Sequence, residues 1–257
     1  MSILTDRIRA ANASGRKAVI PYLPGGFPDR DAFWDELKAL DDGGADIIEI
    51  GVPFSDPVAD GPVVEQAALD CLEMGVCLAW LLDELARRKG AFKAGLVLMG
   101  YYNPFFQYGL EKLGRDCARA GVSGLIIPDL PFEEMEAADK ALEGTGVDVI
   151  CLVGLNTPSE RLELYAKKAK GFVYFVSVLG TTGVRESLPE EVLRKLAEVR
   201  PHFDVPIALG FGISRPGQVK PFGDLIDAVV IGSALINTIR EGKGAAGFME
   251  GWRAGGK

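Results

Sequence analysis

The segment "DIIEIGVPFSDPVADGPVVEQAALDCLEM" (46–74) contains one complete strand–loop–helix unit. Residues 46–50 form a short apolar run that predicts a buried β-strand, and residues 63–74 show the pattern of a helix. A strand followed by a helix and then by another strand indicates a right-handed crossover, which joins parallel strands. The rest of the chain repeats this unit.

Eight such strands can be identified, and each is apolar at nearly every position. This composition is expected when helices cover the outside of a sheet and side chains fill its inside. The predicted strands are 18–23, 46–50, 94–100, 123–128, 148–153, 171–177, 205–210 and 227–232. The helical segments between them include 31–40, 63–74, 110–120, 133–142, 159–168, 189–199 and 233–239.

Eight alternating units predict an α/β fold of the (β/α)8 TIM-barrel class. The N-terminal residues predict an extra amphipathic helix with Ile3, Leu4 and Ile8 on one side. An open, doubly wound sheet is the alternative, although the turn "PYLPGGFPD" after the first strand lacks the GxGxxG pattern of dinucleotide sites. No linker or change of composition divides the chain, so we expect one domain over residues 1–257.

Composition and charge exclude several classes of function. The chain has 257 residues and a net charge of −8, with no long basic run, which disfavours nucleic acid or an anionic membrane as partner. No apolar stretch has bilayer-spanning length and the N-terminus lacks a signal-peptide core, so a cytoplasmic protein is expected. The four cysteines show no CxxC spacing and there is one histidine, so we expect buried, reduced thiols and no metal site.

Glu49 is the first catalytic candidate, because it interrupts an apolar strand. If Ile48 and Ile50 face the helices, Glu49 points into the barrel near the C-terminal end of its strand, where barrel active sites lie. A buried carboxyl has a raised pKa, which lets one group act as both acid and base near neutral pH. The alternative is a glutamate satisfied by an internal hydrogen bond.

The loop after this strand carries aspartates whose roles the residues alone leave open. Asp56 precedes Pro57 and is typical of a turn. Asp60 precedes a predicted helix and could be its N-cap, although its position at the active face also suits chemistry. Asp46 begins the same strand and is expected at the opposite rim of the barrel.

Glycine-rich turns follow the last three strands, at 179–186, 210–214 and 232–236. Small residues let backbone N–H groups approach an anion, and phosphate sites of such barrels are often built after strands seven and eight. Lys17 and Lys93 precede their strands, which disfavours Schiff-base chemistry. The residues therefore predict metal-free acid–base chemistry on a small phosphorylated molecule, with Glu49 and an aspartate in the lead.

The segment "IEIGVPFSDPVADGP" (48–62) resembles the signature of the tryptophan synthase α-subunit family. The resemblance extends to "YYNPFFQYGLEKL" (101–113), "GLIIPDLPFEE" (124–134), "YFVSVLGTTGVRE" (174–186) and "LGFGIS" (209–214), and it covers nearly the whole chain. It implies a (β/α)8 barrel that takes part in tryptophan biosynthesis. The implied reaction is the retro-aldol cleavage of indole-3-glycerol phosphate to indole and glyceraldehyde 3-phosphate, with no cofactor in this chain.

The resemblance also implies roles for individual residues. Glu49 would move the protons and Asp60 would bind the indole N–H, so that these two residues form the catalytic pair. The implied substrate-binding residues are Tyr22 and Phe211 for the indole, Tyr174 to support Glu49, Thr182 to close onto Asp60, and Gly183, Gly212, Gly232 and Ser233 for the phosphate.

A β subunit is the partner that the resemblance implies. It would hold pyridoxal phosphate, form an α2β2 complex and receive indole through a tunnel, docking on the loop 53–60 and on "YYNPFF" (101–106). The alternatives are a stand-alone indole-releasing lyase, a phosphosugar isomerase and an inactive binding module. An isomerase would need an acid after strand one, where none occurs before Asp29, and the presence of Glu49 and Asp60 disfavours an inactive module.

Overall fold

The computed structural model describes residues 2–177, 190–210 and 212–255. Parallel strands form one sheet in the order β5-β4-β3-β2-β1-β9-β8-β7-β6. The strands are β1 Ala18–Pro24, β2 Ile47–Gly51, β3 Gly95–Met99, β4 Val122–Ile126, β5 Asp148–Val149, β6 Cys151–Gly154, β7 Val173–Val176, β8 Ile207–Gly210 and β9 Ala228–Ile231.

The sheet curls into a nearly closed barrel, and the predicted fold class is confirmed. The predicted fifth strand, 148–153, is divided at Ile150 into β5 and β6. These two pieces are the outermost strands of the sheet, so the chain itself joins its two ends at Ile150. The amide of Ile150 donates to the carbonyl of Leu125 in β4, at 2.9 Å, while β6 pairs with β7. An open doubly wound sheet is therefore wrong.

Helices surround the strands, and every predicted helix is present with small shifts at its ends. The helices are α1 Ile3–Ala13, α2 Ala32–Asp42, α3 Pro62–Glu73, α4 Leu78–Arg87, α5 Tyr102–Tyr108, α6 Leu110–Ala120, α7 Met135–Ala141, α8 Ser159–Lys168, α9 Glu190–Val199, α10 Ser233–Arg240 and α11 Gly244–Gly255. Shorter 3₁₀ segments lie at Phe132–Glu134, Arg200–His202 and Pro216–Leu225. Helices α4, α5 and α11 were not predicted from the sequence.

The extra N-terminal helix α1 closes the end of the barrel where the strands begin. Leu4 and Ile8 are fully buried, but Ile3 is 48% exposed, so the prediction was wrong for Ile3. Leu4 fits against Gly124 in β4, where an added Cβ would lie 2.8 Å from its Cδ1. The hydroxyl of Thr5 donates to the carbonyl of Gly171 at 2.6 Å. Because this end is filled, a substrate can reach the barrel interior only from the C-terminal ends of the strands.

Three of the four cysteines are buried as predicted, at Cys71, Cys117 and Cys151. Cys77 is exposed, which contradicts the expectation for that residue. All four thiols are free.

Within the residues that the structure describes, no group of acidic, histidine or cysteine side chains is arranged to hold a metal ion. Among these same residues, no helix combines the length and apolar character that crossing a membrane requires.

Candidate active site

Glu49 lies in the middle of β2, in register with Tyr22 of β1 and Val97 of β3. It is fully buried, and neither carboxyl oxygen has a hydrogen-bond partner in the described parts of the chain. Burial raises the pKa of Glu49 to about 8, and the nearby charge of Asp60 adds to this shift. The side chain is therefore mostly protonated at neutral pH. The alternative of a glutamate satisfied by an internal hydrogen bond is contradicted.

Asp60 lies in the loop between β2 and α3, at the same end of the barrel. Helix α3 begins at Pro62 with Gly61 as its N-cap, so the N-cap interpretation of Asp60 is wrong. The hydroxyl of Tyr101 donates to Oδ2 of Asp60 at 3.3 Å and accepts the amide of Ala59 at 2.9 Å. Two hydrogen bonds thus connect Tyr101 to this loop.

The two carboxyl groups differ in protonation state. Burial raises the pKa of Asp60 to about 6, the Tyr101 hydrogen bond opposes that rise, and the charge of Glu65 adds to it. Asp60 is therefore mostly ionised at pH 7, whereas Glu49 is mostly protonated. A pair of titratable groups whose environments set their pKa values apart can serve as proton donor and charge stabiliser in one site.

Tyr22 and Tyr174 bring aromatic rings to these acids from β1 and β7. Burial raises the pKa of both phenols well above the usual value, and the charges of Glu49 and Asp60 raise it further. Both rings therefore lie in the electrostatic field of the two carboxyls. The predicted support of Glu49 by the Tyr174 hydroxyl is not seen as a hydrogen bond, since the Glu49 oxygens have no partner among the described residues.

Two glycines make room for these rings, and the sequence analysis missed both. A Cβ at Gly51 would lie 2.2 Å from the Tyr22 hydroxyl, and a Cβ at Gly210 would lie 2.3 Å from Cε1 of Tyr174. In each case the glycine ends a strand beside the strand that carries the tyrosine. The two strands "IIEIG" and "IALG" both end on glycine, and this pattern in the sequence could have indicated that space is left there for a neighbouring side chain.

Three of the predicted phosphate residues, Gly212, Gly232 and Ser233, follow strands β8 and β9. Gly232 is the N-cap of α10 and Ser233 is its first residue, and no side chain caps the first-turn amides of this helix. Gly212 has a φ of +81°, a conformation that favours glycine. Gln218, which the sequence analysis missed, holds the turn by donating to the carbonyl of Gly212 at 3.3 Å and accepting the amide of Ser214 at 2.8 Å.

Three predicted site residues, Thr182, Gly183 and Phe211, lie outside the described residues. The described structure brings the other predicted site residues to the same side of the barrel. Glu49, Tyr22 and Tyr174 come from strands, Asp60 comes from the loop after β2, and Gly212, Gly232 and Ser233 come from the turns after β8 and β9.

The loop after β2 and helix α5 also carry exposed apolar side chains. Val58 is 82% exposed and Phe106 is 58% exposed, and each belongs to a segment predicted to dock a partner. Asp56 is exposed and accepts the Ser55 hydroxyl at 2.6 Å, which fits its assignment to a loop. Phe54 contacts Tyr101, with 5.3 Å between ring centroids, and so packs against the residue that binds Asp60.

Residues 8–249 match the family model described as the tryptophan synthase alpha chain. The alpha chain of Solidesulfovibrio magneticus is 67% identical over 252 residues, which cover 98% of each chain. That of Maridesulfovibrio salexigens is 54% identical over 250 residues, covering 97% of this chain and 98% of the relative. The chain belongs to the tryptophan synthase alpha chain family.

Solved structures agree with this assignment. A chain of Mycobacterium tuberculosis tryptophan synthase superposes with a TM-score of 0.90 at 34% identity, covering 99% of this chain and 98% of the other. The tryptophan synthase alpha chain of Legionella pneumophila gives 0.88 at 27% identity, covering 99% and 97%. Members of the family cleave indole-3-glycerol phosphate to indole and glyceraldehyde 3-phosphate in tryptophan biosynthesis. The chain is accordingly a carbon–carbon lyase.

Proposed function

We propose that Glu49 and Asp60 catalyse this retro-aldol cleavage as a pair. The contrast between their environments supports the proposal. Glu49 is fully buried with no hydrogen-bond partner in the described chain, which raises its pKa to about 8, whereas Asp60 accepts a hydrogen bond from Tyr101 and has a pKa of about 6. Indole can leave only if its C3 is protonated, because the ring then accepts the electron pair of the breaking bond. A protonated carboxyl with a pKa near 8 suits that step.

In the proposed reaction, protonation of the indole ring comes before the carbon–carbon bond breaks. Glu49 gives its proton to C3 of the indole, which places a positive charge on the ring nitrogen. Asp60 accepts a hydrogen bond from the ring N–H and stabilises that charge. The ionised Glu49 then removes the proton of the hydroxyl on the carbon attached to the ring. The carbon–carbon bond breaks, its electron pair restores the indole, and the hydroxyl carbon becomes the aldehyde of glyceraldehyde 3-phosphate.

The remaining site residues would position the substrate. Tyr22, Tyr174 and Phe211 would contact the indole, and Thr182 would approach Asp60 when the site closes. The phosphate would be bound by backbone N–H groups of Gly183, Gly212, Gly232 and Ser233. The uncapped first turn of α10 supports this assignment, since its amides and the positive end of the helix favour an anion.

We also propose a β subunit as partner, in an α2β2 complex, with pyridoxal phosphate in that subunit and no cofactor in this chain. The M. tuberculosis structure is of tryptophan synthase, and the exposed Val58 and Phe106 provide apolar contact area on the predicted docking segments 53–60 and 101–106.

One continuous cluster of buried side chains supports a single domain over residues 1–257. Free cysteines are typical of a cytoplasmic protein, which is the compartment we propose.

The steady-state cleavage of indole-3-glycerol phosphate by Glu49→Gln tests the proposed roles. We expect kcat to fall by about 10²–10⁴-fold, because the amide can neither give nor take the proton, while a glycerol phosphate ligand still binds. Glu73→Gln, at an exposed position of α3, is the matched control and should keep wild-type activity. Near-normal turnover by Glu49→Gln would refute the assignment.

The same assay with and without added β subunit tests the partnership. Full activity of the chain alone, unchanged by the β subunit, would favour the stand-alone lyase. A large stimulation by the β subunit is the result that we expect, because docking on 53–60 and 101–106 would hold Asp60 and Tyr101 in place.

A further inference from the structure

A second cavity lies on the outside of the barrel, at the end where the strands begin. It has a volume of about 650 Å³, is open to solvent on one side, and is lined by residues of α11, of the turns before β1 and β2, and of the 3₁₀ segment Pro216–Leu225. Val19 and Val229 are paired on adjacent strands and line its inner wall. Val19 is an odd number of residues from Tyr22, which faces the active site, so Val19 points outward, away from that site. The cavity is therefore separate from the catalytic carboxyls.

The wall of this cavity is apolar and well packed. Val229, Met249 and Trp252 are buried, with exposed fractions of 8% or less, and the side chains of Val19 and Val219 are partly buried. Cavities that hold drug-sized ligands commonly have volumes of about 300–1,000 Å³, apolar walls and a few polar groups that fix orientation. The volume and the lining both fit this description.

The polar groups at the rim are cations, although the chain as a whole carries a net charge of −8. Arg16 is neutralised by Asp46 at 2.6 Å, and Lys17 lies 3.8 Å from a carboxylate oxygen of Asp224. Lys220 and Arg253 have no carboxylate partner within the described ranges. Arg253 is fixed, because its Nη2 donates to the carbonyl of Asp42 at 2.7 Å.

We propose that this cavity binds a small molecule with a largely apolar, ring-containing body and one anionic group. The body would lie against Trp252, Met249 and the two valines, and the anionic group would lie between Lys220 and Arg253. Such a ligand gains from both features, because the apolar body leaves water while the anion is attracted to two cations that have no carboxylate partner. A neutral molecule of the same shape would gain only from the removal of its apolar body from water.

A titration with 8-anilinonaphthalene-1-sulfonate tests the proposal on the intact chain. We expect one molecule to bind per chain, as measured by calorimetry and by fluorescence. N-phenyl-1-naphthylamine has the same rings without the sulfonate, and it should bind about fivefold more weakly. Saturating glycerol 3-phosphate should displace neither ligand. Displacement would assign the binding to the active site and would overturn the proposal.

Two variants locate the binding site. Lys220→Glu should weaken binding of the sulfonate about fivefold and leave the neutral ligand unchanged. Lys140→Glu makes the same charge change at an exposed position on α7, across the barrel, and should change neither affinity. Val219→Trp fills the cavity and should weaken both ligands, with folding checked by thermal unfolding. Equal affinities of the sulfonate for Lys220→Glu, Lys140→Glu and wild type would overturn the proposal, as would the absence of one-to-one binding.

Discussion

Two carboxyl groups in and just before β2 have opposite environments. Immediately before the strand, Asp46 accepts two hydrogen bonds from Arg16, at 2.6 and 2.7 Å, and a third from the amide of Val19 at 2.9 Å. Three residues later, Glu49 is fully buried with no hydrogen-bond partner in the described chain. A satisfied carboxylate stabilises the fold, whereas an unsatisfied one costs stability and is kept for chemistry.

The same difference holds for the barrel as a whole. At the closed end, Oδ1 of Asp41 accepts the amides of Lys93 and Ala94, although its Oδ2 has no partner among the described residues, and Asp227 accepts the amide of Ile207 at 2.8 Å. At the open end, Glu49 and Asp60 both have raised pKa values because burial disfavours their charged forms. Among the buried carboxyl groups that the structure describes, Glu49 is thus the one whose two oxygens both lack a hydrogen-bond partner.

Of the three substitutions that follow, Gly51→Ala, at the open end of the barrel, should have the largest effect on activity and stability. The new Cβ would lie 2.2 Å from the Tyr22 hydroxyl and 2.7 Å from its Cζ, so the ring must leave its place beside Glu49. We expect most of the cleavage activity to be lost, with about 1–3 kcal/mol less unfolding free energy. Steady-state kinetics and denaturant unfolding measure the two effects.

Gly251→Ala is the matched control for that variant, because no atom lies within 4 Å of the added Cβ. It should keep full activity and stability. Unchanged kinetics of Gly51→Ala would contradict the view that the glycine makes room for a ring of the active site.

Asp46→Asn should have a moderate effect that is confined to stability. The change weakens the contacts with Arg16 and Val19, and we expect the unfolding free energy to fall by about 1–2 kcal/mol. The kcat for cleavage should stay unchanged, because the residue lies at the closed end of the barrel. A loss of activity in the folded variant would break the proposed division between the two ends.

Tyr101→Phe should have the smallest effect, a shift of the pH profile. The Tyr101 hydroxyl donates to Asp60 and lowers its pKa, so its removal should raise the pKa of Asp60 above the present value of about 6. Activity that needs ionised Asp60 is lost as the pH falls through this pKa. The acid limb of kcat/KM should therefore move to higher pH in the variant, with little change at pH 8. An unmoved acid limb would remove Asp60 from that role.

The barrel could be predicted from the sequence because its strands are short, apolar and regularly spaced. The division of the predicted strand 148–153 at Ile150 could not be predicted, because it depends on which residues of this segment pair with β4 and which pair with β7. Helix α11 was missed because its glycine-rich sequence has low helix propensity, and burial of Phe248, Met249 and Trp252 compensates for this in the folded chain.

For the site, side-chain alternation was enough to place Glu49 inside the barrel. The residues alone left Asp56 and Asp60 undecided, because a loop's path is not set by periodicity, and the family resemblance made the choice. The Tyr101 contact with Asp60 joins residues 41 positions apart, and no local pattern predicts it. The space that Gly51 leaves for Tyr22 is likewise a contact between strands, which appears only when their register is known.

Measuring the pKa of Glu49 tests most directly whether the carboxyl groups at the two ends of the barrel differ in protonation. Because the pKa of Glu49 is higher in the folded chain than in the unfolded chain, the free energy of unfolding should be highest at low pH. It should fall as the pH rises from about 4.5 to about 8. Carbon-13 NMR of glutamate-labelled protein, with Glu49→Gln to assign the resonance, measures this titration. We predict a midpoint near 8 for Glu49. A midpoint near the ordinary value of 4.5 would show an ionised carboxylate at neutral pH and would contradict the proposed proton transfer to indole.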